Sequence, residues 1–160
     1  MNWTILRWYI LSAFVVLADQ LTKNIVTENF LYGENLNVFS GVNLILIHNA
    51  GAAFSFLSDA GGWQRWLFLL ISLIVSIILA AWLYRLKKTQ FFMSLSLSLI
   101  LGGAIGNLID RVFLGYIIDF IDIFYKSYHW PVFNIADASI TLGVAIFIIN
   151  NLVVSKNIDK

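Results

Sequence analysis

Asp119 and Asp137 are the residues of this chain best suited by type and setting to attack a bond. Asp119 lies in Tyr116-Ile117-Ile118-Asp119-Phe120, and Asp137 in Phe133-Asn134-Ile135-Ala136-Asp137-Ala138, where the last long apolar stretch begins. Lipid offers a carboxylate neither water nor counter-charge, so an acid kept at that depth points to function. Two carboxylates sharing a site suffice to hydrolyse an amide. One takes a proton from water as it attacks, and the other donates one to the carbonyl oxygen or leaving nitrogen, with no covalent intermediate.

Both acids also have plainer readings. Asn134 followed three residues later by Asp137 resembles a capping box that opens a helix. Asp119 could be an interfacial acid paired with Arg111 or Lys126. Other chemistries lack residues: there is no His-Glu-x-x-His pair, no Gly-x-Ser-x-Gly elbow and no phosphate-cradling glycine loop. His48 and His129 are isolated and far from metal-ligand spacing, so no metal and no cofactor is expected. Ser139 has only carboxylates to serve as a base. Zero cysteines exclude disulfides, thiolate catalysis and lipidation of the chain's own cysteine.

The elements that must position the two acids are membrane spans. Of 160 residues, 60% are hydrophobic and 12% charged, and the mean hydropathy of +0.84 exceeds what a soluble core needs. A net charge of +1 gives no broad basic face, which argues against a nucleic-acid partner. About 20 apolar residues cross a bilayer, and four stretches qualify, approximately 8–26, 66–84, 91–109 and 137–154. The fold expected is an α-helical integral membrane protein, one domain over 1–160, with four transmembrane helices and a small β-rich subdomain in the outer loops. The first stretch is superficially signal-like, yet it is long, carries Asp19 and leads into further spans, so it reads as a retained helix.

Arg7, Arg85, Lys87, Lys88, Lys156 and Lys160 fall at the N-terminus, the short link between spans two and three, or the C-terminus. The positive-inside rule then places both termini in the cytoplasm and segments 28–64 and 111–136 outside. Leu44 to Ile47 and Tyr116 to Tyr125 are strand-like. If 117–123 is a strand, Asp119 and Asp122 point to opposite faces. Ser94-Leu95-Ser96-Leu97-Ser98 also alternates, but at membrane depth only a helix satisfies its backbone.

That orientation gathers Asp19, Lys23, Asn107, Arg111 and Asp137 on the outer side. Asp19 and Lys23 are four residues apart, as are Gly103, Asn107 and Arg111, so each set shares a helix face. Gly102, Gly103 and Gly106 allow another backbone to come close. Asp19 is expected to orient Lys23 or Arg111. Asp110, beside Arg111, and Asp122 are expected to be structural. A helix N-terminus favours the anion at Asp137, whereas apolar neighbours favour the neutral acid at Asp119. Asn49 to Phe56, small residues followed by Phe54 and Phe56, is a candidate lid or a plain packed turn.

Five ordered blocks resemble those of lipoprotein signal peptidases, the bacterial signal peptidase II family. They are Asp19-Gln20-Leu21-Thr22-Lys23, Asn49-Ala50-Gly51-Ala52-Ala53-Phe54-Ser55, Gly103-Ala104-Ile105-Gly106-Asn107-Leu108-Ile109-Asp110-Arg111, Ile118-Asp119-Phe120 and Phe133-Asn134-Ile135-Ala136-Asp137. The resemblance implies a membrane aspartic endopeptidase of the bacterial inner membrane. It would cut prolipoproteins before their diacylglyceryl-modified cysteine at the outer face, with Asp119 and Asp137 catalytic. It assigns substrate-positioning or supporting roles to Asp19, Lys23, Asn49, Gly103, Asn107, Arg111, Asn134 and Ala136. It further implies membrane lipid as a partner and inhibitors such as globomycin at the dyad; a monomer is the default. Two other classes remain open on residues alone. A proton-coupled transporter expects acids staggered through the bilayer and repeated helices, neither of which is evident. A non-catalytic scaffold expects Asp119→Asn and Asp137→Asn to be tolerated.

Overall fold

In a computed structural model, residues 3–51 and 62–158 are described. Most of the candidate lid, from Ala52 to Phe56, lies outside them. The chain runs α1 (Trp3–Asn29), β1 (Asn35–Phe39), β2 (Val42–Asn49), α2 (Trp63–Arg85), α3 (Phe91–Phe113), β3 (Ile117–Tyr125), β4 (Tyr128–His129) and α4 (Ile135–Ile158). All four helices are long and apolar enough to cross a membrane. They form an α-helical membrane protein with one small sheet, strand order β1-β2-β3-β4, every neighbouring pair antiparallel.

Each helix outruns the apolar stretch that announced it. Hydropathy marks the part that meets lipid, whereas hydrogen bonding continues into the polar ends, so α3 reaches two residues past Arg111. Of the strands, β2 and β3 carry the runs legible in sequence. Strand β1 and the two-residue β4 were not foreseen.

Helix α3 is the centre: most of its spanning length is buried, whereas the other three expose most of theirs. Its small residues make this fit. A side chain at Gly103 would collide with the Ala136 carbonyl and come within 2.7 Å of Ile140 Cγ1 on α4, and one at Gly106 would come within 2.6 Å of Asp19 Oδ2 on α1. Ser94, Ser96 and Ser98 are buried and donate to the carbonyls of Gln90, Met93 and Ser94 on their own helix. Ser12 Oγ of α1 donates to Ser98 O at 2.9 Å. The alternating serines therefore belong to helix packing.

Two apolar clusters flank this axis. Trp8, Leu79, Leu83, Leu97 and Leu101 fill the end away from the sheet. Val26, Leu46, Ile118 and Phe120 join the end of α1 to the sheet. Between α3 and β3 the chain turns at Gly115, whose φ of 86° suits glycine. The amides of Leu114 and Gly115 both donate to Asp110 O, ending the helix. Strand β3 then runs back under the helix ends, which brings Asp119 to them.

Candidate active site

Asn134 opens α4. Its side-chain oxygen accepts the Asp137 N–H at 2.8 Å, and its own N–H donates to Asp137 Oδ2 at 3.4 Å, the reciprocal pattern of a capping box. The box does not consume Asp137. Its other oxygen, Oδ1, accepts from Asn107 Nδ2 of α3 at 2.8 Å. Asn134 Nδ2 points the opposite way and donates to Asp119 Oδ1 at 2.7 Å and to the Ile118 carbonyl at 3.2 Å. Asn134, itself fully buried, thus holds one aspartate at each end of its side chain.

Asp119 is 2% exposed. Its second oxygen accepts from Asn49 Nδ2 at 2.9 Å, and Asn49 Oδ1 is held by the Gly51 N–H at 3.0 Å, which fixes the amide's direction. Burial pushes the Asp119 carboxyl up to about 7, and the charge of Asp137 adds to this; the amides of Asn49 and Asn134 and the charge of Lys23 oppose it. A carboxyl in this position keeps its proton into the neutral range.

Beneath the two acids lies a cluster of buried charge. Lys23 Nζ, 1% exposed, contacts Asp19 Oδ2 at 2.7 Å and Asp110 Oδ2 at 2.8 Å. It also donates to Asn107 Oδ1 at 3.1 Å. Asp19 Oδ1 accepts the Ala136 N–H at 2.9 Å, so Asp19 satisfies a free amide in the first turn of α4. Asp110 accepts from the Ile118 N–H at 3.1 Å and from Gln20 Nε2 at 2.9 Å. Lys23 reaches Asp137 through Asn107, and Asp110 reaches Asp119 through the neighbouring Ile118.

Of the residues singled out in sequence, Asp19, Lys23, Asn49, Asn107, Asn134 and Asp137 are thereby joined to Asp119 in one hydrogen-bonded network. Gly103 and Ala136 form the α3–α4 contact behind it. Arg111 makes no direct hydrogen bond to the pair, although its charge is close enough to act on Asp137, Asp110 and Asp119: Nη1 donates to Ser72 Oγ of α2 at 3.4 Å, with the guanidinium 5.6 Å from the Phe68 ring. Among the described residues, Asp119 bonds neither Arg111 nor Lys126. Ser139 Oγ donates to the Leu99 carbonyl at 2.9 Å and has no base. Asp122 faces away from Asp119, bonded to Asn43 and His129, as strand parity requires. His48 stacks on Tyr116 at 4.2 Å, and burial lowers its basicity. No cluster of metal-ligating side chains occurs among the described residues.

Two members were missed in sequence. Asp110 was judged by its neighbour Arg111, but adjacent helical residues diverge. Its distance of three from Asn107 and four from Gly106 puts it on their face, which was the available signal. Gln20, next to Asp19, gave none.

Fold and site together define a polytopic membrane protein built round two neighbouring carboxylates, Asp119 buried and Asp137 partly so. The sequence model described as signal peptidase (SPase) II matches residues 11–153, nearly the whole chain. Curated relatives named lipoprotein signal peptidase include that of Acinetobacter baylyi, 48% identical over 94% of this chain and 84% of the relative. Those of Acinetobacter baumannii, 46% identical over 97% and 88%, and Shewanella piezotolerans, 43% over 97% and 91%, are similar. Two solved structures of bacterial membrane enzymes, each 36% identical, superpose with TM-scores of 0.86 and 0.79. The first alignment covers 94% of this chain and 90% of that enzyme, the second 91% and 92%. The chain belongs to the signal peptidase II family and is a multi-pass bacterial membrane protease of that family.

Proposed function

We propose that this enzyme removes signal peptides from prolipoproteins, cleaving before the diacylglyceryl-modified cysteine with Asp119 and Asp137 as the catalytic pair. The observation that carries this reading is the Asn134 side chain, which bonds the buried Asp119 carboxyl at one end and the backbone N–H of Asp137 at the other. Asp137, at a helix N-terminus and accepting from Asn107, holds the charge and takes the proton of the attacking water. Asp119 holds the shared proton and gives it to the carbonyl oxygen as water adds; when the gem-diol collapses Asp119 takes that proton back, and Asp137 passes the proton it took from water to the leaving nitrogen. The pair titrates as a unit, so the resting proton belongs to a microstate.

Asn49 and Asn134 orient Asp119, Asn107 orients Asp137, and Lys23 with Asp19 and Asp110 supports both. Arg111, outside that network, is left to position substrate. The bias of basic residues supports cytoplasmic termini, segments 28–64 and 111–136 outside, and a site at the outer face of the inner membrane. A site there receives a lipid-anchored peptide laterally while its acyl chains stay in the bilayer. Globomycin-type inhibitors occupy the dyad in this reading, and the enzyme acts as a monomer.

The test is cleavage of a lipidated precursor in detergent or liposomes by Asp119→Asn and Asp137→Asn singly. Loss of about 10²–10⁴ in rate from either, with the fold intact, is expected. Retained cleavage in both would remove the aspartic reading.

A further inference from the structure

Strand β2 carries one residue more than β3 between two paired positions. Leu44 lies opposite Ile121, but Ile47 lies opposite Asp119. Because side chains alternate along a strand, one inserted residue exchanges the faces of everything beyond it. Continued regularly from Leu44, the register would set Leu46 opposite Asp119 and His48 diagonally beside it. With the bulge, Asn49 takes that diagonal place and bonds Asp119 at 2.9 Å. The bulge therefore selects Asn49 over His48 as the partner of Asp119. Leu46, within the bulge, is buried, and its carbonyl accepts the Gly33 N–H at 2.9 Å.

What fixes the register is on the other face of the sheet. A ladder of polar side chains crosses all four strands. Asn37 Nδ2 donates to Asn43 Oδ1 at 2.9 Å, Asn43 Nδ2 donates to Asp122 Oδ2 at 2.8 Å, and His129 Nδ1 lies 2.9 Å from Asp122 Oδ1. Asn43 and Asp122 are directly opposed and both buried. A one-residue slip of β2 would set Val42 or Leu44 against the Asp122 carboxylate and strip it of that donor, which register specificity forbids.

We propose that Asn43 and Asp122 are positioning residues: they lock β2 on β3 so that the bulge falls before Ile47 and Asn49 is aimed at Asp119. The claim rests on Asp119 being catalytic, since only then does the lock bear on turnover. Neither residue touches the reacting atoms. Asp122, on the wrong face to assist Asp119 directly, acts through the register.

The test is a double-mutant cycle on the full-length enzyme with lipidated precursor. Asn43→Ala and Asn49→Ala are each expected to lower kcat roughly tenfold with KM little changed, because each removes one donor to a buried carboxylate. In an Asn49→Ala background, Asn43→Ala should lower kcat no further. The exchange N43D/D122N, which rebuilds the pair in reverse, should restore the rate and covers the case in which Asn43→Ala fails to fold. A readout free of turnover is the Asn49 side-chain amide resonance in detergent-solubilised protein. It should shift in Asn43→Ala and, as a reference, in Asp119→Ala, which removes its acceptor. Multiplying kcat losses, or an Asn49 resonance unmoved by Asn43→Ala, would overturn the lock. Retained cleavage by Asp119→Asn with a shifted Asn49 resonance would instead overturn the catalytic reading and support the lock.

Discussion

Lys23 donates to Asn107 Oδ1 at 3.1 Å, and through that contact a buried ion cluster grips the residue that orients Asp137. Lys23→Met leaves Asp19 and Asp110 buried without their cation. Breaking a buried pair in this way costs about 3–5 kcal/mol. Thermal unfolding in detergent should record that loss, and cleavage should fall with it. An unchanged melting temperature would refute a stabilising role for the cluster.

With Asp119 as the proposed proton donor, activity should have an alkaline limit. The folded-state pKa of Asp119, about 7, lies above the ordinary value of 3.8. The stability linked to its proton is therefore complete below 3.8 and is lost as pH rises through about 7. Activity that needs a protonated Asp119 should fall over the same upper range. A kcat/KM profile on lipidated precursor checks this, and Asp119→Asn should be free of the linked stability loss.

Asn49→Ala should move that limit upward. The Asn49 amide stabilises the carboxylate form, so its removal raises the Asp119 pKa further. Comparing pH profiles of the variant and the parent decides the sign. A downward shift would show that Asn49 favours the protonated acid.

Gly103→Ala should separate α3 from α4. The added carbon would meet the Ala136 carbonyl, a backbone group fixed in α4, and come within 2.7 Å of Ile140 Cγ1. Overpacking of this kind costs about 1–3 kcal/mol. Because Ala136 immediately precedes Asp137, cleavage should drop more than stability alone accounts for. Gly33→Ala, where an added carbon would meet nothing but the φ of 78° still strains the backbone, is the comparison.

Precursor lacking the diacylglyceryl group should be cut poorly. In the proposed mechanism, lateral delivery would confine a lipid-anchored peptide to the depth of the dyad, and an unlipidated one would lose that confinement. Paired turnover of the two forms in liposomes measures the difference, and equal rates would refute delivery by the anchor.

Much of this arrangement was legible because membrane insertion writes it in plain hydropathy. Four apolar stretches announced four helices, and period-two alternation put Asp119 and Asp122 on opposite faces. Gly103 and Gly106 announced close helix contacts that α4 and α1 fill. Other parts depend on partners distant in sequence. Strand β1 is exposed along its whole length, so burial leaves no alternation in it. The bulge in β2 has no residue signature, since it arises where the Asn43–Asp122 pair and the Asn49–Asp119 pair each impose a register differing by one. Asp110 was read as structural, but its tie to Lys23 stayed hidden because chain adjacency to Arg111 masked its place on the face of Asn107.

The ion pair inside α1 bears on how the protein enters the bilayer. Asp19 and Lys23 neutralise each other one helical turn apart, so α1 can be handed to lipid without waiting for a partner helix. Asp110 has no facing cation on α3 and must find Lys23 across the interface. Asp19→Asn should therefore impair insertion of α1 by itself, while Asp110→Asn should ease that of α3; isolated-segment insertion assays would read both. The first helix thus carries the cation that the third must find, so along the chain the receptor precedes its ligand.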